Sequence, residues 1–184
     1  MRKCLAAALT ALILSTAPVW AADAPYAGME RRAIASLSEA DIAALRAGEG
    51  WGLALPAELN GWPGPRHVLD MGDALDLSDT QRGQVERLFG LMQGEAQRVG
   101  ENYIEAEQAL DAAFDDPTLD PVVLAGLVVA ATNALGELRM IHLAAHIETR
   151  QILTDAQIET YNMQRGYGAD AHGGQAGHGG HGAH

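Results

Sequence analysis

Residues 139–167 read RMIHLAAHIETRQILTDAQIETYNMQRGY. His142 and His146 stand four residues apart in this stretch, which closes on Leu153-Thr154-Asp155-Ala156-Gln157. The pattern occurs once before, as Leu77-Ser78-Asp79-Thr80-Gln81. In each copy a Ser or Thr precedes a Gln by three residues, so hydroxyl and amide can cap each other's backbone N–H groups at a helix start. Each copy therefore predicts the opening of a helix, and the chain between them holds the main fold.

From Ser78 to about Asp115 no proline intervenes. Val85, Met92, Val99, Ala106 and Ala113 recur every seven residues, interleaved with Phe89, Ala96, Tyr103 and Leu110. That is the seam of a long helix packed on a partner. Gly83, Gly90, Gly94 and Gly100 weaken it by about 1 kcal/mol each, so it must lean on something. Asp115-Asp116-Pro117 ends it, and Asp120-Pro121 opens a second helix to Ile152. Leu124, Ala131, Leu138, Ala145 and Ile152 form one of its series; Val128, Leu135, His142 and Thr149 form the other. The short connection predicts an antiparallel helical hairpin. Thr154 then caps a last short helix, ended by Gly166.

Upstream, Ser38 and Asp41 make a third cap, with Leu37 and Ile42 as its hydrophobic staple and Gly48 as its stop. GEGWGLALPAELNGWPGP, residues 48–65, predicts a loop anchored on the core by Trp51 and Trp62, with one helical turn over residues 56–60. Pro65 opens a helix through about Leu75. Residues 23–37 carry little pattern and predict an extended arm. The expected organisation is an N-terminal arm, short helix and loop over 23–65, then a hairpin domain over 66–167.

The ends read differently. Arg2 and Lys3 precede an apolar run from Leu5 to Leu14 and small residues near Ala21-Ala22, the form of a secretory signal peptide over residues 1–22. No other stretch is read as membrane-spanning, so a soluble, exported, periplasmic protein is expected. Cys4, the one cysteine, would leave with the leader, which excludes disulfides and thiol chemistry. Loss of Arg2 and Lys3, with no acidic residue, takes the net charge from −12 to −14. Such a surface repels nucleic acid and attracts cations. Residues 168–184 include HGGQAGHGGHGAH, with four His and six Gly, and read as a disordered tail.

His142 and His146, at i and i+4, can aim both rings at one point, as helical metal sites require. Counting back from the turn near Thr118 puts Glu95 opposite His142, within about one helical turn. Two imidazoles and a carboxylate suit Zn²⁺, Cu²⁺, Ni²⁺ or Co²⁺. The plainer alternative is a core or dimer-interface histidine pair; export, acidity and the His-rich end weigh on the side of metal. His67, beside Asp70 and Met71, could complete such a site or lie on the surface. His172, His178, His181 and His184 are donors without fixed geometry. Six methionines are too few for a copper-thioether protein. No Ser-His-Asp order, phosphate loop or zinc-protease motif occurs, so no enzyme is expected.

Taken together, Leu77, Ser78 and Gln81 with Leu153, Thr154 and Gln157, set around long helices and behind an export signal, resemble the LTxxQ family of Spy- and CpxP-like periplasmic proteins. Residues 66–166 carry the resemblance. Tyr26 to Pro65 and His142 to Tyr167 look like the subgroup of periplasmic heavy-metal sensors and metal-resistance proteins. The resemblance implies an all-α, often dimeric, non-catalytic protein. Such a protein senses divalent metal and signals to an inner-membrane partner, or holds unfolded clients without ATP as a chaperone or stress adaptor. The chaperone members carry basic, apolar cradles, which the acidity here does not match. No complete set of sensor ligands can be carried onto this sequence.

Overall fold

The computed structural model describes residues 25–167. The expected signal peptide and the His/Gly-rich tail lie outside the described residues. Six α-helices follow in order: α1 Glu39–Ala47, α2 Leu55–Glu58, α3 Pro65–Asp70, α4 Asp79–Ala113, α5 Pro121–Ile152 and α6 Asp155–Arg165. Among the described residues no strand forms beyond one isolated bridge between Ile34 and Leu37. The fold class is all-α, as the heptad spacing predicts.

Capping decides where the helices begin. The hydroxyls of Ser38, Ser78 and Thr154 accept from the N–H groups of Asp41, Gln81 and Gln157, and each of those side chains returns to the cap N–H. Asp120 accepts from the N–H groups of Val122 and Val123 ahead of α5, with Pro121 in the first turn. Gly48 and Gly166 close α1 and α6 at φ 68° and 75°, the left-handed region where only glycine is unstrained.

The long helices run antiparallel: Gln81 near the start of α4 reaches Ile152 at the end of α5, and Arg98 farther along reaches Glu137. At their base the two repeated motifs meet. Gln81 Nε2 donates to Gln157 Oε1 at 2.8 Å, and Gln157 Nε2 donates back to Gln81 Oε1 at 3.2 Å. The other bonds from these amide nitrogens go to the carbonyls of Ile152, Leu75 and Asp76. The repeat is thus one physical object, in which the caps of two helices hold each other.

Two apolar cores flank this frame. One joins Ile34, Leu37 and Leu45 to Val99, Tyr103, Ile104, Ala131 and Leu138. The other gathers Val68, Leu75, Val85, Leu153, Ile158 and Tyr161 beside the Gln–Gln clasp. Helix α1 lies on α4 so closely that a Cβ at Gly100 would stand 2.7 Å from the Leu45 carbonyl oxygen. This contact explains a glycine in the interior of α4.

Four expectations change. Residues 25–37 are no extended arm: they hold a 3₁₀ turn, Met29–Arg31, and bury Ile34 and Leu37. Helix α3 stops at Asp70 instead of Leu75, because the chain turns back on itself through a Leu77 N–H to Gly72 carbonyl bond. The seam is buried only where a third element covers it. Val99, Tyr103, Ala131, Leu138 and Ala145 are buried, whereas Val128 is exposed, as are Phe114, Val122 and Val129. Finally, α5 is itself long and apolar enough to cross a membrane, with an 18-residue window of mean hydropathy 1.6 that is 11% buried. The expectation that no stretch outside the leader approaches membrane-spanning length is thereby corrected.

Candidate functional site

A cavity of about 550 Å³ opens between the loop after α1, the start of α3, and the middles of α4 and α5. His67, His142 and His146 all line it, together with Glu58, Arg165 and Tyr167. Three of the histidines singled out in the sequence thus reach one space. Its apolar wall includes Trp51, Phe89 and Met92.

Each imidazole is placed for a local reason. His142 and His146 lie one turn apart on α5, both buried. The Nδ1–H of His146 donates to the Trp62 carbonyl oxygen at 2.8 Å. That bond selects the tautomer with an Nε2 lone pair, as a backbone carbonyl does behind a metal-ligating histidine. The Cε1–Nε2 edge rests against Gly64, where any Cβ would come within 2.7 Å of Cε1 and 2.9 Å of Nε2. Glycine at 64 leaves that edge uncovered. His142 is 3% exposed, and its Nε2 has no hydrogen-bond partner among the described residues. His67 is half-buried on α3.

Glu58 is buried under the same wall and is fully engaged. It accepts from the Tyr161 hydroxyl at 2.8 Å and from Arg165 at 2.8 Å, and stands 4.0 Å from His146 Nδ1. Burial, and then the hydrogen bond to Glu58, raise the Tyr161 phenol well above its usual range, so it donates to the carboxylate as a neutral group. Arg165 also lies 5.6 Å from the ring centre of Tyr167 at the rim.

Glu95 does not join this site. It is exposed and accepts from Arg98, which also reaches Glu137. The α4 residues facing the cavity near His142 are Met92 and Gln93, about one turn earlier. The offset lies within the register uncertainty of counting from the turn, but one turn changes which side chain faces the cavity. Among the described residues no group of three His, Cys, Asp or Glu is arranged to hold a metal ion. His172, His178, His181 and His184 lie outside the described residues.

Trp62 serves differently from its sequence reading. Its ring is partly exposed under the Arg150 guanidinium, 5.0 Å away, and its backbone carbonyl does the anchoring. Trp51 packs against the core as expected, near Tyr103, and donates to the Asp41 carboxylate at 2.8 Å. Glu58, Gly64, Tyr161 and Arg165 carried no sequence signal as a site, because their contacts join residues about a hundred positions apart.

Burial lowers the His142 pKa below that of a free imidazole, and the neighbouring His146 lowers it further. Burial first, then Arg165, lower that of His67. Both rings are therefore neutral, and so competent for metal, at neutral pH. A lowered histidine pKa stabilises the fold fully above the unfolded value of about 6.5, and that contribution is lost as pH falls through it toward the folded-state pKa. Urea unfolding should thus show stability level above pH ~7 and falling below ~6.5, by up to about 1.4 kcal/mol per pH unit for His142. His142→Leu should flatten that acid limb; an unchanged limb would assign it to other groups.

Comparison with family models, with curated proteins and with solved structures gave no match.

Proposed function

We propose that this protein is an exported, periplasmic metal-binding protein of the LTxxQ type, acting in divalent heavy-metal sensing or resistance. The observation that carries the reading is the pair His142 and His146 on one cavity wall, with one ring's tautomer held by the Trp62 carbonyl and the other's Nε2 buried without a partner. Imidazole nitrogens select Zn²⁺, Cu²⁺, Ni²⁺ or Co²⁺ over hard cations. The acidic surface concentrates such ions nearby. A sensor would report occupancy to an inner-membrane partner, in keeping with the resemblance.

The test is metal-linked stability. Zn²⁺ at a hundredfold excess over Kd should stabilise the native state by about 2.7 kcal/mol, read as a rise in melting temperature. His146→Ala should abolish the rise, and Gly64→Ala should blunt it by covering Nε2. A protein that melts at the same temperature with and without Zn²⁺, Cu²⁺, Ni²⁺ and Co²⁺ would end the metal reading.

A second reading rests on a different observation, the apolar outer surface of the long helices. Leu91, Phe114, Val122, Val129 and Met140 are all more than half exposed. Such a surface fits a homodimer contact or an ATP-independent chaperone or envelope-stress adaptor that holds unfolded clients. Suppression of client aggregation that survives loss of every histidine would put this reading first.

A further inference from the structure

We propose that the cavity lined by His142 is also a binding site for a small, uncharged aromatic molecule bearing a hydroxyl, a phenol or naphthol, whose hydroxyl meets His142 Nε2. This occupancy goes beyond the metal reading and does not depend on it, since His142 gives such a ligand a hydrogen bond and not a coordinate bond.

Size and wall point to an organic ligand. At about 550 Å³ the cavity falls in the range of small-molecule sites, roughly 300–1,000 Å³. Trp51, Leu55, Phe89 and Met92 line it, and none of the four is fully buried, so apolar surface there stays wet until something covers it. The indole N–H of Trp51 is engaged by the Asp41 carboxylate at 2.8 Å, which leaves the ring to the cavity as hydrocarbon. Such a wall recognises a flat aromatic body through area and offset ring contacts.

Charge selects a neutral ligand. Arg165 holds Glu58 at 2.8 Å, and Arg66 holds Asp70 at 3.3 Å while lying 5.6 Å from the ring centre of Phe89. Glu49, the other carboxylate among the described residues of the lining, is exposed at the mouth. An uncharged molecule enters without an ion being stripped of water.

One polar group of the lining is left over. His142 is more than nine-tenths buried, and its Nε2 meets no partner among the described residues. A buried ring nitrogen in that state costs stability until something meets it. Nε2 donates in one neutral tautomer and accepts in the other, and a hydroxyl, which does both, matches either. A carbonyl or an ether would match one alone.

Two probes of one shape test this, β-naphthol and naphthalene, each titrated into the full chain with EDTA present. β-Naphthol should bind at a single site, about tenfold or more tighter than naphthalene, the gain from meeting a buried group otherwise left unpaired. His142→Leu, which keeps the apolar volume and removes the nitrogen, should bring the two probes to equal affinity. Met92→Trp, which fills the cavity and leaves His142 in place, should abolish binding of both, with the helices of each variant checked by circular dichroism. If either variant fails to fold, the affinity ratio in the full chain still decides. Equal affinity for the two probes there would overturn the proposal, because water then serves Nε2 as well as a ligand does. A preference for β-naphthol that survives His142→Leu would overturn it too, as would binding of neither probe. EDTA keeps these outcomes separate from the melting test with metal. β-Naphthol binding without a metal-linked rise in melting temperature would end the metal reading alone, and a rise without β-naphthol binding would end this proposal alone.

Discussion

Glu58→Ala is expected to destabilise the protein by about 3–5 kcal/mol, the range for breaking a buried, hydrogen-bonded charge pair from one side. Glu58 is 7% exposed, and its carboxylate ties α2 to α6, which begins nearly a hundred residues later. Its removal leaves the hydroxyl of the fully buried Tyr161 without its acceptor and the partly buried Arg165 without its counter-ion. Glu58→Gln should lose less, because an amide oxygen still accepts from Tyr161. The checks are denaturant midpoints of the three proteins at equal slope. Equal stability of Glu58→Ala and the parent would mean that the cluster is solvated and idle. Zn²⁺ binding should weaken as well, since α2 carries the chain to the Trp62 carbonyl that orients His146.

Gln81→Ala is expected to cost about 3–4 kcal/mol, from three or four net hydrogen bonds at about 1 kcal/mol each, including a half-buried amide partner left behind. Gln157→Ala should cost about the same, and the double variant clearly less than the sum. A coupling energy of about 0.5–3 kcal/mol is the range for residues in one network. Strict additivity would mean that each Gln acts as a local cap alone and that the clasp at the base of α4 and α5 contributes nothing. A Gln81→Glu/Gln157→Glu pair should be worse than either alanine, because two carboxylates would face each other where reciprocal amides now meet.

Much of this frame was legible beforehand because the signals that set it are local. The three caps are written within four residues each, and the starts of α1, α4 and α6 follow from them. The heptad spacing placed Val99, Leu138 and His142 inward. Depth along the seam was not legible, since it depends on which elements lie over it: Val128 obeys the spacing and is still exposed. The two copies of the motif were visible, but not that their glutamines touch. At the site, the i, i+4 histidines were readable from helical geometry, and His67 joined them through tertiary folding. Glu95 was the natural carboxylate by counting and proved to face solvent, paired with Arg98. Glu58 could not have been read at all. Its neighbours on the chain are Ala57 and Leu59, and the residues that define it, Tyr161 and Arg165, lie on α6.

The close approach of α1 to α4 also divides the glycines of α4 by how much stabilisation each leaves to be gained. Alanine at Gly90 or Gly94 would meet nothing within 4 Å, so both positions hold unused helix propensity of up to about 1 kcal/mol apiece. At Gly100 the same methyl would collide with the Leu45 backbone, and the sign reverses. The headroom for strengthening this helix therefore lies away from the α1 contact, where the chain still has a choice.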